Sequence, residues 1–470
     1  MSSTAETVTL AAVGCAEVTV LRSATREPQA VLSSETLRGA IYLAVRYGLG
    51  VIVSLGNMLV MTWWIGPHAY GVFITAIGIV SFLATLARGG VDTYLVRSEA
   101  TPDHRTYGTA TTLILGASIA LGLAAAATTP LLARWFGSRE FVAPYLVLLL
   151  TIPVTGLTGV PMAKLERALN FRSIAGIELG AQSAGLLVAG LLAWSHPSVW
   201  APVAGQISWQ VFTLVATVVS ASLTMRPRFC AGEARKMLSY GLVLTASVRT
   251  WQLRSLVNPL LVGRFAGAEG VAFVALAVRV AEALGTFRLA AGRMAIAALA
   301  RMQSRREDFR GVLERALYLQ VVTLGPLLCA FALFGPFVLP HMVGARWTPS
   351  LAVYPFVAAG VLINSIYNLQ ASALFVVGKQ WIVMQSYATH VGLLATSTLF
   401  LLPRLGIAGY GWAELMSCCA YAVIHAGIAK VVPISYRRLA PWVTTLLVGL
   451  FLFSLSPTLF HAIQNWRFTR

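Results

Sequence analysis

Arg249 and Arg254 stand inside an otherwise apolar run, SYGLVLTASVRTWQLRSLVNPLLVGRF, from Ser239 to Phe265. Such a run can cross a bilayer, which takes about 20 residues at about 1.5 Å each. Counted from Ser239, the two guanidinium groups lie roughly 15 and 22 Å along a helix. A charge at that depth costs about 2.5–3.5 kcal/mol on insertion scales, so it must face protein or water rather than lipid. Ser247, Thr250, Trp251, Arg254 and Asn258 share one side of the projection, and Arg249 points elsewhere. Two chemistries fit Arg254: a structural arginine bonded to the carbonyls of neighbouring helices, or the cationic wall of a cavity that accepts an anion.

Other polar residues interrupt apolar segments. Arg46 and Asn57 share a face of the first segment, with Arg46 about 10 Å from its cytoplasmic end and so within snorkelling reach. Arg279 and Glu282 are i, i+3 neighbours, a spacing that predicts a mutual ion pair. Asn364, Tyr367 and Asn368 form a polar face that can bond sugar hydroxyls or join helices, as can Gln206 and Gln210. Glu178, Glu282 and Glu414 are intramembrane acids, candidates for binding a coupling proton or cation. Glu178 and Glu414 fall near segment ends, where a carboxylate can also reach water. His390 and His425 have no companion at metal-ligand spacing and read as structural. No phosphate loop, paired carboxylates or nucleophile motif is present, which predicts no catalytic residues, no bound metal and no cofactor.

A chain with 57% hydrophobic and 11% charged residues is not a soluble composition, and its mean hydropathy is +0.75. The net charge of +18 forms no nucleic-acid patch, because the basic residues fall between apolar segments, in alternate loops. Five cysteines, Cys418 and Cys419 among them, show no ligand spacing and read as small packing residues.

The elements that must position these residues are apolar segments at about 39–63, 70–87, 109–133, 142–163, 174–194, 198–222, 239–262, 270–291, 316–340, 350–377, 381–402, 406–429 and 441–460. One set of loops carries Arg97, Arg105, Lys164, Arg167, Arg172, Arg226 and Arg228, and continues with Arg301, Arg305, Lys379 and Lys430. The other set is short and nearly free of basic residues, which puts the basic set and the N-terminus in the cytoplasm. An odd number of spans then leaves Arg467 and Arg470 outside, against the rule, so the last segment is the least secure span. Residues 1–36 lack signal-peptide order and read as a disordered cytoplasmic leader. Residues 37–225 and 226–430 read as two six-helix bundles, and 431–470 as a basic loop with one extra helix. WWIGPHAYGVFITAIGIV (63–80) and GRFAGAEGVAFVALAVRV (263–280) repeat one plan: long helix, short glycine-containing outer turn, apolar helix. Halves that repeat in the same orientation are related by a pseudo-twofold axis along the membrane normal.

Three stretches carry a resemblance. IGPHAYGVFITAIGIVSFLATLARGGVDTYLVR (65–97) resembles the second-helix signature of bacterial polysaccharide flippases, within the multidrug/oligosaccharidyl-lipid/polysaccharide exporter superfamily. AKLERALNFRSIAGIELGAQSAGLLVAGLLA (163–193), with its LxRxLxFR pattern from Leu165 to Arg172, is similar to that group's fourth-to-fifth helix join. NPLLVGRFAGAEGVAFVALAVRVAE (258–282) is similar to the seventh-to-eighth join, although members commonly carry an acid where Asn258 stands and a base where Pro259 stands. The resemblance runs over about 36–430. It implies an all-α polytopic fold of two bundles that rock about a basic central cavity.

The expectation is a flippase, not an enzyme. It would carry a polyprenyl-pyrophosphate-linked oligosaccharide (an O-antigen, capsule or exopolysaccharide repeat unit) across the bacterial inner membrane by alternating access. Its partners would be that lipid-linked glycan, the bilayer, and polysaccharide polymerase and assembly proteins, with no nucleic acid. Arg249, Arg254, Arg46, Arg279, Asn258, Asn364 and Asn368 are the candidate pyrophosphate and sugar contacts. A multidrug or cation antiporter of the same superfamily is the alternative, disfavoured by the excess of mid-membrane arginine over acid. A membrane enzyme of glycan assembly is disfavoured by the short outer loops.

Overall fold

The computed structural model describes residues 56, 61–285 and 306–454. Arg46 and most of the first apolar segment lie outside the described residues, as do the leader and the end of the last segment. All regular structure among the described residues is helical. The first helix, α1, runs Pro67–Arg88. Pro67 opens it, its missing N–H being one that a first turn leaves unbonded anyway. Gly89 ends it at φ 62° and Gly90 follows at φ 77°, a left-handed pair that turns the chain into α2, Val91–Arg97.

The remainder of the first half is α3 (His104–Ala127), α4 (Thr129–Phe136), α5 (Val142–Leu149) and α6 (Thr151–Arg167), then α7 (Phe171–Ser195) and α8 (Trp200–Ala221). The Asp103 side chain accepts from Thr106 N at 2.7 Å and Asn170 from Ser173 N at 3.2 Å, capping α3 and α7. Val91, Ile114, Val160 and Ile177 pack together at one end of this half, joined there by Met237 of the following helix. Leu123, Leu131, Leu150, Leu187 and Trp194 face outward, as a helix wall against lipid requires.

The second half begins with α9, Ala231–Gln252, eight residues before the expected segment start. Arg249 and Arg254 therefore lie about 27 and 34 Å from the helix start at about 1.5 Å per residue, the added first turns being the charged stretch with Glu233, Arg235 and Lys236. A 3-10 turn (Leu253–Leu256) and a π turn (Asn258–Val262) follow where a continuous helix was expected. Pro259 is the cause, since it has no N–H to give to the carbonyl of Ser255. Then come α10 (Gly263–Leu284), α11 (Arg306–Val343), α12 (Ser350–Val376) and α13 (Gln380–Leu405). The turn before most of α10 is made at Gly267, whose φ is 69°. Helix α14 (Ile407–Ser417), a 3-10 turn (Cys418–Ala420) and α15 (Tyr421–Ala429) make one interrupted span. The core of this half joins α10 through α15 around Leu313, Leu328, Val357, Leu362 and Ile424.

Among the described residues nine stretches are long and apolar enough to cross a membrane. The final helix, α16 (Ala440–Ser454), is shorter and lies along α11, where Leu446 fills the space above Gly325. The linker ahead of it is pinned to the end of α11: Glu314 accepts from Ser435 N at 2.7 Å and from Arg310 Nε at 2.8 Å.

Arg167, the arginine inside the LxRxLxFR pattern, donates to the carbonyls of Ser98 (2.6 Å), Ala100 (3.1 Å) and Leu95 (3.3 Å). It satisfies carbonyls that the end of α2 leaves without helical partners. Arg167→Ala is expected to lower stability by about 1.5–3 kcal/mol, the range for hydrogen bonds to a charged group. A shifted thermal midpoint of purified protein checks this, and an unchanged midpoint counts against the capping role.

Candidate functional site

Two interrupted helices meet in the second half. Arg254 stands in the 3-10 turn that interrupts α9. Glu414 stands one turn before the 3-10 turn that interrupts the last span. An Arg254 Nη2 hydrogen bond to Glu414 Oε1 joins them as an ion pair, with side-chain exposures of 19% and 4%. Gly360 of α12 makes the room: a Cβ there would stand 3.0 Å from Glu414 Cγ. The guanidinium also lies 5.6 Å from the ring centre of Trp251, within cation–π range.

Behind the pair is a buried polar and aromatic shell. The Ser417 hydroxyl donates to the carbonyl of Glu414 at 2.6 Å, so its oxygen is left to accept from His390 Nε2 at 3.2 Å. That assigns the imidazole proton to Nε2 and leaves Nδ1 a bare acceptor without a partner. The ring is held between Trp251, at 5.1 Å, and Tyr421, at 5.2 Å. Tyr421 stacks on Tyr367 at 5.0 Å and accepts from Asn364 Nδ2 at 2.6 Å. Arg254 Nε and Glu414 Oε2 are likewise buried and unpartnered among the described residues.

The structure thus gathers Arg254, Asn364, Glu414 and His390, which lie far apart in the chain. Glu414 does not reach water as its place near a segment end suggested; it is 3% exposed, enclosed by α12 and α13. Asn258 is drawn into helix joining, donating to the carbonyl of Val271 at 3.3 Å. Arg249 is half-buried, and Asp92 of α2 is the carboxylate that acts on it. Asn368 is exposed. Glu178 is exposed and lies in the field of Glu166 near the end of α6.

Arg279 departs from expectation. It and Glu282 are both exposed, and no ion pair joins them. An i, i+3 attraction between solvated groups is worth only about 0.2–0.5 kcal/mol, too little to hold two long side chains together. Arg279 makes no hydrogen bond or ion pair to any described residue, but its charge acts on Tyr70 of α1, which places it beside the seam between α1 and α10.

Breaking a buried pair by removing one partner costs about 3–5 kcal/mol, because the other charge is stranded. Arg254→Met and Glu414→Leu are each expected to lower the unfolding free energy by about that much, and the double variant to recover most of it. Strictly additive losses in denaturant unfolding would contradict the pairing.

The fold matches the lipid II flippase MurJ in an inward closed conformation at a TM-score of 0.70 and 12% identity, over 92% of this chain and 100% of that one. It matches an inward-facing multidrug resistance MATE family transporter of the MOP superfamily at 0.60 and 14%, over 85% and 98%. The eukaryotic MATE transporter AtDTX14 follows at 0.58 and 12%, over 88% and 99%. At these identities the likeness is one of fold: an all-α, multi-pass membrane protein of two six-helix bundles. No curated protein matches the sequence. A model described as polysaccharide biosynthesis protein matches residues 60–352, more than half of the chain, and the chain belongs to that family.

Proposed function

We propose that this transporter is a flippase for a polyprenyl-pyrophosphate-linked oligosaccharide, moving it by alternating access across the bacterial inner membrane from a cytoplasmic N-terminal side. The observation that carries this reading is Arg279, an exposed guanidinium without an ion-pair partner among the described residues. It lies about 18 Å from the Gly267 outer turn at about 1.5 Å per residue, well inside the hydrocarbon depth. A charge there is stable only against water or an anion, and the pyrophosphate is the part of such a substrate most costly to carry through hydrocarbon. Arginine suits it because its fork takes phosphate oxygens two at a time. Arg249, half-buried on α9, is the second cation within this scheme, and Asn368 an exposed amide for sugar hydroxyls.

Arg254 takes a different part. Its charge is neutralised by Glu414, so the pair serves the coupling step: separation of the pair exposes the Glu414 carboxylate to a coupling ion while Arg254 is freed to move with α9. Polysaccharide polymerase and assembly proteins are the expected partners at the outer face.

The test uses cells whose surface glycan depends on this gene. Arg279→Ala is expected to reduce surface glycan about tenfold or more, with lipid-linked precursor accumulating at normal protein level; loss of one charge-assisted contact of about 1.4 kcal/mol is a tenfold effect. Arg279→Lys retains part of the activity. Unchanged glycan with Arg279→Ala contradicts the anion role, and efflux of organic cations by the parent protein favours the multidrug reading.

A further inference from the structure

The short turn between α11 and α12 contains the largest side chain that is wholly enclosed among the described residues. Gly344, at φ 92°, turns the chain into the 3-10 segment Ala345–Trp347. Trp347 has 0% exposure, although it belongs to an outer loop. Its socket is built mainly by the other half of the protein. Trp347 Nε1 donates to the carbonyl of Thr62 at 3.0 Å, and its ring meets Tyr70 edge-on at 5.7 Å. Met61 and Ile65 belong to the same cluster. Phe273 of α10 closes the second half's side at 6.2 Å. Arg346 adds a bond to the carbonyl of Trp63 at 3.4 Å and lies over Gly66, where a Cβ would be 3.1 Å from its Nη1. Ser350 fixes the turn from behind, donating to the Trp347 carbonyl at 2.7 Å.

Below this socket α1 and α10 run in backbone contact, since a Cβ at Gly71 would enter the carbonyl of Ala268. The two halves also touch at the other end, where a Cβ at Gly90 would stand 2.6 Å from the carbonyl of Gly241 and Tyr94 meets Tyr240 at 5.7 Å. The ends differ in kind. One is held by a buried indole with a directed hydrogen bond across the halves. The other rests on glycine backbones, on Met237 buried among Val91, Ile114 and Val160, and on one aromatic pair whose Tyr240 is 41% exposed.

We propose that Trp347 is the latch of the outer gate: a side chain of the second half seated in a socket of the first, which must withdraw before the outer end can open. The proposal rests on the alternating-access reading above. The latch sets the resting equilibrium towards a closed outer end. Withdrawal exposes a large aromatic surface and breaks the indole hydrogen bond, so outward opening needs free energy from substrate or from the membrane potential.

The test is thiol accessibility of the full-length protein in membranes, with native cysteines replaced. The outer reporter is Ala272→Cys, buried in the seam cluster; the inner reporter is Tyr240→Cys. An impermeant maleimide is applied to right-side-out and to inverted vesicles. Trp347→Ala is expected to speed outer labelling at position 272 about tenfold or more, equivalent to about 1.4 kcal/mol of population shift. Inner labelling at position 240 is expected to change little or to fall, because alternating access closes one end as the other opens; a rise at both positions means general loosening and overturns the latch. Trp347→Phe keeps the ring without its donor and is expected to give a smaller rise. Should the Ala variant misfold, the Phe variant carries the test alone. Outer labelling unchanged in a well-folded variant overturns the latch. No substrate is needed, so this result is separate from the Arg279 glycan assay.

Discussion

Charge in a low-dielectric slab governs this protein. Hydrocarbon offers no partner for a guanidinium or a carboxylate, so each one inside the membrane must find an opposite charge, a carbonyl or water. Three of the described arginines of the spans show that division. Arg254 is neutralised by Glu414. Arg88 donates to the carbonyl of Thr155 at 3.2 Å and lies 4.0 Å from Asp92. Arg279 is exposed and has no such partner among the described residues. The first two tie helices together, and the third is the charge to which the proposed function assigns an anion.

The Arg254–Glu414 pair also links two helix interruptions that have separate causes. Pro259 forces the first, and the second follows Ser417, whose hydroxyl bonds the carbonyl of Glu414 three residues back. A buried pair at two weakened helices is a poor source of net stability and a good place for a change of state, since neither flanking turn has full α-helical bonding. The His390 ring beside it leaves its Nδ1 buried without a hydrogen-bond partner among the described residues.

Much of the fold was legible in the sequence, because twenty-residue apolar runs and basic loop asymmetry are one-dimensional signals. The helices α1, α7, α8, α12 and α13 follow the runs closely. The interruption after Gln252 was signalled by Pro259 and missed because hydropathy stays high through it. The pairing of Arg254 with Glu414, 160 residues apart, has no local sign: each residue looked isolated. Arg279 and Glu282 misled in the opposite way, since helical spacing permits a contact whose energy does not require it. Trp347 sits in a loop that reads as an ordinary outer turn, and only the packing of both halves around it reveals its burial.

The most direct measurement is transbilayer movement of a polyprenyl-pyrophosphate-linked oligosaccharide in proteoliposomes holding the purified protein. Substrate is placed in the leaflet equivalent to the cytoplasmic one, and its glycan is scored by an impermeant lectin at the opposite face. Lectin access that rises with time, and falls about tenfold or more with Arg279→Ala, is the expected result. Access no faster than in empty liposomes, from protein that instead moves organic cations, would contradict the flippase reading.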